Sequence, residues 1–223
     1  MSAFYPLLNS QRFSHPLGKI VCVGRNYAAH AAELNNPIPQ SPLLFIKPAS
    51  AAASLAAPVR LPVGRGAVHH ELELAALIGA PLSNATLAEA ANAVAGIGLA
   101  LDLTLRDVQD RLKRDGQPWE RAKAFDGAYP VSEFIGLNGR DLQNLTAQLW
   151  RNDKLQQDGH TGQMLFPVLA LIAEISQWFS LQPGDVVSTG TPAGVGPQAS
   201  GDRLVAALGA GGEELLRVET RVA

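Results

Sequence analysis

The sequence predicts an α+β protein with a large mixed, predominantly β sheet of roll or barrel-like form and a few helices. Many short apolar or alternating runs, each bounded by turn residues, are typical of strands. Helical patterns are few and do not alternate regularly with the strands, which argues against a doubly wound fold. The composition, 47% hydrophobic and 17% charged over 223 residues, is that of an ordinary folded protein.

The first half of the chain is predicted to contain strands separated by short helices. A proline at position 37 ends the first helix, and Thr86 and Glu89 have the spacing of a capping box for the second. Thr104 can cap the third helix, and Gly116 stops it. The predicted strands are 18–24, 43–46, 69–78 and 97–103, and the predicted helices are 26–35, 87–94 and 105–115.

The second half of the chain is predicted to be strand-rich. Asn152 and Asp153 form a plausible hairpin turn between two alternating segments. Pro167 opens a helix that ends near Phe179, and residues 182–185 turn the chain into the next strand. The predicted strands are 145–151, 154–156, 186–189, 203–208 and 215–222, with a glycine-rich turn at 209–212 between the last two.

Charge and hydropathy exclude several function classes. A net charge of −2 gives no basic surface for nucleic acid. No apolar run reaches ~18 residues and no charged-then-apolar leader opens the chain, so we expect neither membrane insertion nor secretion. The single cysteine, Cys22, fits a reducing compartment and a core position. We therefore expect a cytoplasmic protein.

Two carboxylates lie two positions apart in an apolar strand. Glu71 and Glu73 point to the same face, with Cα atoms roughly 7 Å apart. Like charges on a half-buried face are costly unless a positive charge lies between them. With Asp102, which ends another apolar strand, they can bind Mg²⁺ or Mn²⁺ and leave coordination positions for water or substrate. The alternative is that all three acids form salt bridges with arginines.

His30 and Glu33 lie three residues apart on one face of the first predicted helix. A carboxylate beside an imidazole fixes its tautomer and raises its basicity, as a general base for water requires. The alternative is a solvated surface pair, and the residues alone favour it.

Several polar and basic residues are candidates for binding an anion. Arg106 and Gln109 lie three apart after Asp102, Lys47 stands at a strand end, and Lys123 lies in a segment, 121–127, predicted to be a loop. Each cation alone is more often a surface residue, but together they suit a carboxylate and an enolate-like oxygen.

The glycine-rich segment 188–196 can also bind an anion through its backbone N–H groups and the Thr191 hydroxyl. It lacks the residues of a nucleotide-binding motif, and the chain contains neither a Gly-x-Ser-x-Gly nor a His-Glu-x-x-His motif. These absences argue against serine hydrolases and zinc proteases.

Taken together, these segments resemble the fumarylacetoacetate hydrolase family, in particular its short, single-domain, acylpyruvate-hydrolase-like branch. Each matching piece is weak alone, but their joint occurrence in family order is specific. The pieces are 19–27 (KIVCVGRNY), 30–33 (HxxE), 45–48 (FIKP), 69–73 (HHELE), 102–109 (DxTxRDVQ), 123–126 (KxFD) and 189–196 (TGTPxGVG).

The resemblance implies a role for each candidate residue. Glu71, Glu73 and Asp102 would be the Mg²⁺ or Mn²⁺ ligands. His30 and Glu33 would be the water-activating dyad on a lid over the substrate, which reverses the interpretation as a surface pair, and Lys123 would stabilise developing negative charge. The residues that would contact a small 2-oxo acid substrate are Arg25, Lys47, Arg106, Gln109 and Thr191.

The resemblance also implies the architecture: a β roll or barrel-like domain, commonly a homodimer. Residues 18–223 would form one catalytic domain after a short N-terminal extension, 1–17. The chain lacks the additional N-terminal domain of the enzyme after which the family is named, so fumarylacetoacetate itself is in doubt as the substrate.

The reaction implied first is hydrolysis of a C–C bond in an acylpyruvate, such as acetylpyruvate or fumarylpyruvate, through a pyruvate enolate held by the metal. Decarboxylation of oxaloacetate forms the same enolate, and its tautomerisation forms the corresponding enolate of oxaloacetate. Isomerases and decarboxylases of hydroxymuconate-type diacids are further alternatives. The ligand set does not separate these reactions. A metal-stabilised binding protein without turnover is a further alternative, against which the intact His30, Glu33 and Lys123 argue.

Overall fold

Within residues 3–223, which a computed structural model describes, the chain forms sixteen strands and five α-helices. The strands are β1 (Leu7–Leu8), β2 (Gln11–Arg12), β3 (Ile20–Gly24), β4 (Leu43–Lys47), β5 (Ala52–Ser54), β6 (Val68–His70), β7 (Leu72–Ile78), β8 (Val94–Leu101), β9 (Thr104–Leu105), β10 (Tyr129–Val131), β11 (Leu145–Arg151), β12 (Lys154–His160), β13 (Val186–Ser188), β14 (Gly196–Pro197), β15 (Arg203–Ala210) and β16 (Glu213–Arg221). The α-helices are α1 (Ala28–Glu33), α2 (Leu87–Ala93), α3 (Arg106–Arg114), α4 (Glu120–Lys123) and α5 (Val168–Trp178).

A seven-stranded mixed sheet forms the centre of the fold, in the order β4-β3-β13-β7-β8-β10-β5. The pairs β3–β13 and β10–β5 are parallel, and the other neighbours are antiparallel. A four-stranded antiparallel sheet, β12-β11-β15-β16, contacts it through β11 and β15. A three-stranded sheet, β14-β6-β9, adjoins the start of β7, because Glu71 alone separates β6 from β7. This confirms the predicted fold class, α+β with a mixed sheet and mostly β structure.

Strand β7 divides its side chains between two apolar clusters. Leu72 and Leu74 belong to the larger cluster, which also includes residues of α2, α5 and the four-stranded sheet. Ala75 and Leu77 belong to the smaller cluster on the opposite face. Because strand side chains alternate, Glu73 lies on the face of the smaller cluster. The acidic residues are therefore kept away from the main core.

The register of β7 and β8 brings the third acid beside the first two. Leu72 pairs with Leu101, and the N–H of Asp102 donates to the carbonyl of Glu71 at 2.8 Å. Two residues opposite each other in an antiparallel pair point to the same face. Asp102 and Glu71 are thus neighbours at the end of one sheet face.

Several predicted elements are confirmed with small changes in length. Asn152 and Asp153 have φ of 50° and 64°, as the turn of a two-residue hairpin requires. Thr86 and Glu89 make both hydrogen bonds of the capping box. Helix α5 begins after Pro167 as predicted. None of the helices in the described chain has both the length and the hydropathy needed to cross a membrane.

Other elements correct the sequence-based predictions. The first helix covers Ala28–Glu33, not 26–35, because Asn26 is buried and its side chain is hydrogen-bonded to neighbouring backbone. Thr104 lies in β9 and its hydroxyl donates to the carbonyl of Asp102 at 3.0 Å, so it does not cap α3. Lys123 ends the short helix α4 in a segment predicted to be a loop. Strands β5 and β10 were not predicted.

Residues 7–12 form the β1–β2 hairpin, and Leu8 packs against the smaller cluster. The division into an N-terminal extension, 1–17, and a catalytic domain, 18–223, stays a prediction.

Candidate active site

The three predicted metal ligands meet in one buried cluster. Glu71 lies between β6 and β7, Glu73 lies in β7, and Asp102 follows β8. One carboxylate oxygen from each lies within 4.8 Å of the others, and all three residues are buried. Strand alternation and register together produce this cluster, which we call the acid triad.

Two members of the acid triad are paired with basic side chains. Glu71 accepts hydrogen bonds from Arg106 and from Lys123, the latter at 2.7 Å. Asp102 accepts from Lys123 at 2.6 Å, and the Lys47 ammonium lies 2.8 Å from its other oxygen. Burial alone would raise the pKa of Glu71, but Lys123 and Arg106 outweigh it and hold that pKa well below its usual range.

The charge on Lys123 is stabilised in return. Burial alone would lower its pKa, but the Asp102 and Glu71 carboxylates hold the pKa above its ordinary value. Lys123 is therefore an ammonium group at neutral pH, with its charge at the base of the pocket.

Glu73 has no basic partner within 4.0 Å among residues 3–223. Its Oε2 accepts from the Ser188 hydroxyl and from the Gly190 N–H, the latter at 3.0 Å. Burial, and next the nearby charge of Asp102, raise the pKa of Glu73 to about 8. The alternative in which arginines pair with all three acids holds for Glu71 alone. The acid triad lacks a positive charge at Glu73.

The residues present fit Mg²⁺ or Mn²⁺. The cluster offers three carboxylates, which are hard oxygen ligands, on one face of a rigid sheet. A carboxylate has about four lone-pair directions, so contacts to lysine and arginine leave room for a metal bond. The missing positive charge at Glu73 is the charge that a divalent cation would supply.

His30 and Glu33 form the predicted pair at the mouth of this pocket. The Nδ1 of His30 lies 3.3 Å from the Glu33 Oε2, and His30 is buried on helix α1. Because a carboxylate accepts, the imidazole proton lies on Nδ1 and Nε2 is left as the basic nitrogen. Burial lowers the pKa of His30 below its ordinary value, so the ring is a neutral base at physiological pH.

One small cavity joins the acid triad to His30 of the dyad. Its charged lining comprises three carboxylates and four cations: Glu71, Glu73, Asp102, Arg25, Arg106, Lys113 and Lys123. The polar side chains of His30, Asn36, Gln109 and Thr191 also line it. Positive charge therefore exceeds negative charge even before a metal ion is counted.

Among residues 3–223, two of these cations have no acidic partner. Neither Arg25 nor Lys113 lies within 4.0 Å of a carboxylate in the described part of the chain. Arg25 has a φ of 61°, a left-handed conformation that is uncommon for a non-glycine residue and clusters at functional sites. Lys113 is half-buried on α3, on the helix face that carries Arg106 and Gln109.

Lys47 corrects the sequence-based interpretation as a substrate contact. Its side chain is fully buried behind Asp102 and is not part of the cavity lining. The ammonium donates to the carbonyls of Lys123 and of Ala128, the latter at 3.0 Å. Lys47 therefore joins Asp102 to the segment that carries Lys123, which is a structural role.

We expect the Lys47→Met variant to lose stability, because it removes the buried ammonium that lies beside Oδ1 of Asp102 and donates to the carbonyl of Lys123. Removing one partner of a buried ion pair costs about 3–5 kcal/mol of unfolding free energy. Urea unfolding, with the exposed Lys154→Met as the matched control, measures this loss. An unchanged unfolding free energy would contradict the structural role.

Thr191 lines the cavity, but its hydroxyl already has two partners. It donates to the carbonyl of Leu72 at 2.8 Å and accepts from the Gln157 amide at 2.8 Å. The other side of that amide accepts from the Leu72 N–H at 2.8 Å. Gln157 thus fixes the glycine-rich loop to strand β7. The sequence did not predict this role, because a polar residue in an alternating strand is usually exposed.

Asn26 and Ser188 are two further residues that the sequence did not single out. Asn26 holds the start of α1 through bonds to the carbonyl of Thr189 at 2.8 Å and to the backbone of Phe166. Ser188 supports Glu73. Asn26 lies in the matching piece 19–27 and Ser188 in the glycine-rich segment 188–196, but their roles depend on contacts more than 100 positions away.

A family model described as fumarylacetoacetate (FAA) hydrolase C-terminal matches residues 19–223. The chain belongs to the fumarylacetoacetate hydrolase family. This confirms the resemblance found in the sequence motifs.

Three relatives bear on the site. Oxaloacetate tautomerase YcgM of Escherichia coli is 51% identical over 193 residues, covering 85% of this chain and 88% of that protein. The human mitochondrial oxaloacetate tautomerase FAHD1 is 39% identical over 209 residues, covering 93% of each. A crystal structure of fumarylpyruvate hydrolase from Pseudomonas aeruginosa, in complex with Mn²⁺ and pyruvate, has a TM-score of 0.88 at 33% identity, covering 100% of this chain and 98% of that one.

The Mn²⁺ in that solved structure agrees with the fit of the acid triad to a divalent cation. Among these family enzymes, the two tautomerases are more similar in sequence to this chain than the hydrolase is. The first interpretation, acylpyruvate hydrolysis, is therefore less supported than its alternative at oxaloacetate.

Proposed function

We propose that this protein catalyses the keto–enol interconversion of oxaloacetate, a dianionic 2-oxo acid, with Mg²⁺ or Mn²⁺ held by Glu71, Glu73 and Asp102. The observation that carries the proposal is the combination of a neutral base, His30, with an excess of positive charge in one small cavity. The 51% identity to a bacterial oxaloacetate tautomerase supports it.

The charges in the cavity suit a dianion. Four cations face three carboxylates, and a divalent cation would add two positive charges. A second carboxylate on the substrate would balance this excess at Arg25 and Lys113, for which residues 3–223 provide no acidic partner within 4.0 Å. An acylpyruvate with an uncharged acyl group would leave them unpaired.

The reaction needs only proton transfer. The Nε2 of His30 takes a proton from C3 of the keto form, while the Glu33 carboxylate holds the Nδ1 proton and stabilises the resulting imidazolium. The C–H electron pair becomes the C2–C3 double bond, and the former carbonyl oxygen takes a proton to complete the enol. A bound divalent cation would act as a Lewis acid that stabilises negative charge on this oxygen.

Lys123 and Arg106 assist at the same oxygen and at the neighbouring carboxylate. Both side chains line the cavity and already lie against Glu71. Their positive charges favour the enolate over the keto form, because charge interactions are strong in a buried site.

Ketonisation of freshly dissolved enol-oxaloacetate tests the proposal. Loss of enol absorbance should be faster in proportion to enzyme concentration, should require Mg²⁺ or Mn²⁺, and should leave the total oxaloacetate unchanged. Ketonisation at the uncatalysed rate, with metal present, would contradict the proposal.

Hydrolysis of an acylpyruvate is the second candidate, and the fumarylpyruvate hydrolase neighbour favours it. In that reaction His30 would take a proton from water instead of from carbon. The same enzyme sample, given acetylpyruvate and fumarylpyruvate, should release little pyruvate relative to its rate with enol-oxaloacetate. Pyruvate and CO₂ from oxaloacetate would instead indicate a decarboxylase.

A variant of Lys113 tests more directly whether the substrate is a dianion. We expect Lys113→Met to raise KM for oxaloacetate about 10-fold, the effect of losing one charged hydrogen bond of roughly 1.5 kcal/mol. Its KM for acetylpyruvate, which has no second carboxylate, should stay the same, and the exposed Lys154→Met should change neither. An equal change for both substrates would contradict the assignment of Lys113 to the second carboxylate.

We also propose a homodimer and a cytoplasmic location, as predicted from the sequence. Light scattering on the purified protein measures the first.

A further inference from the structure

His70 is a buried histidine that the mechanism above does not use. It ends strand β6, is fully buried, and is not part of the cavity lining. Its Nε2 lies 3.1 Å from the carbonyl oxygen of Gly194 in the glycine-rich loop. Because a carbonyl oxygen only accepts, the ring proton lies on Nε2 and His70 donates to the loop.

Gly194 also contacts the catalytic dyad. The N–H of Gly194 donates to the two carboxylate oxygens of Glu33, at 3.1 and 3.3 Å. Glu33 in turn lies 3.3 Å from the Nδ1 of His30. A continuous series of contacts therefore runs from His70 through Gly194 and Glu33 to His30.

The loop conformation at Gly194 suits this connection. Its φ is +97°, and a Cβ at this position would lie 1.9 Å from the carbonyl oxygen of Gln156. Only glycine fits there without moving the backbone. The neighbouring residue Gly196 pairs with His70 in the β14–β6 ladder, so the histidine holds the loop through both its side chain and its main chain.

We propose that His70 is a positioning residue, which holds Gly194 by its carbonyl group so that the N–H of the same residue fixes Glu33 and thereby orients His30 over the substrate. Helix α1 has no side-chain cap and only six residues, and the bond from Gly194 to Glu33 ties it to the glycine-rich loop. The inference rests on the proposed function only in taking His30 as the base.

A double-mutant cycle distinguishes positioning from a general structural role. We expect His70→Leu to lower kcat about 10-fold, because a change away from the reacting atoms that misplaces a catalytic group slows the reaction, with Mn²⁺ affinity and KM unchanged. His70→Gln, whose amide can still donate, should recover most of kcat. In a Glu33→Ala background, His70→Leu should have no further effect, because the connection is already broken. Independent, multiplicative losses, or a parallel loss of Mn²⁺ affinity, would overturn the proposal.

Two NMR measurements test the proposal without turnover. In the wild-type protein, ring ¹⁵N shifts should identify His70 as the Nε2–H tautomer, and the opposite tautomer would overturn the proposal even if the variants fail to fold. In His70→Leu, the amide of Gly194 should exchange with solvent about 10-fold faster or more, as expected when a local hydrogen-bonded contact is weakened. An unchanged exchange rate would also overturn it.

These readouts separate the two hypotheses. If the wild-type enzyme does not accelerate ketonisation, the proposed function fails, but the tautomer and the amide exchange still test the role of His70.

Discussion

The Asp102→Asn variant is expected to bind Mn²⁺ more than about 100-fold more weakly than the wild type. Replacing a residue that only supports a metal ligand already lowers metal affinity by about 10–100-fold. Asparagine keeps the shape of the side chain but removes one of the three negative charges of the acid triad. Turnover of enol-oxaloacetate should fall to the uncatalysed rate. Titration calorimetry measures the affinity, and a stopped-flow assay measures the turnover.

Asp158→Asn is the matched control for this variant. Asp158 is exposed and its Oδ1 accepts from Gln148 at 3.0 Å, a bond that asparagine can retain. If Asp102 served only as a partner for Lys47 and Lys123, its variant would lose unfolding free energy but keep its Mn²⁺ affinity. That outcome would reject the metal site.

The second large effect is expected at His30. We expect His30→Asn to lower kcat by about 10²–10⁴-fold, the usual contribution of a general base, while Mn²⁺ affinity is unchanged. The basic nitrogen, Nε2, is lost, whereas the acid triad remains complete. The exposed His15→Asn should behave as the wild type.

The dependence of kcat/KM on pH provides a further check. Because burial lowers the pKa of His30, its basic form persists to lower pH than that of an ordinary histidine. Activity should therefore fall only as the pH drops below the usual histidine range, and this limb should be missing in His30→Asn. A variant that retains full kcat would show that another group accepts the proton.

Alternation along the strand made Glu71 and Glu73 predictable, since strand side chains two positions apart share a face. The proximity of Asp102 was less certain, because it depends on the register between β7 and β8. That register is set by the packing of Leu72 and Leu101 in the core, which a single sequence does not reveal.

The supporting residues were harder to predict. Asn26, Gln157 and His70 act through hydrogen bonds to distant backbone, and their sequence neighbours give no signal of this. Lys47 shows the opposite error: a cation at a strand end suggested a substrate contact, whereas the fold buries it behind Asp102. Pairing with a buried carboxylate overrides the usual exposure of lysine.

The metal ligands alone did not identify the substrate. Hydrolysis, decarboxylation and tautomerisation all pass through an enolate of a 2-oxo acid, so the metal ligands and the dyad can serve all three. In the proposed function, the discrimination would depend on Arg25 and Lys113, which also line the cavity. Neither residue belongs to the acid triad or to the dyad, which explains why the chemistry was clearer than the substrate.

Anomalous diffraction from crystals grown with Mn²⁺ and oxalate tests the central claim most directly. We predict one strong anomalous peak about 2.0–2.2 Å from an oxygen each of Glu71, Glu73 and Asp102, the bond length of octahedral Mg²⁺-like coordination, with two oxalate oxygens on the open side. Density without an anomalous peak there, with the three carboxylates bonded only to protein groups, would contradict the account.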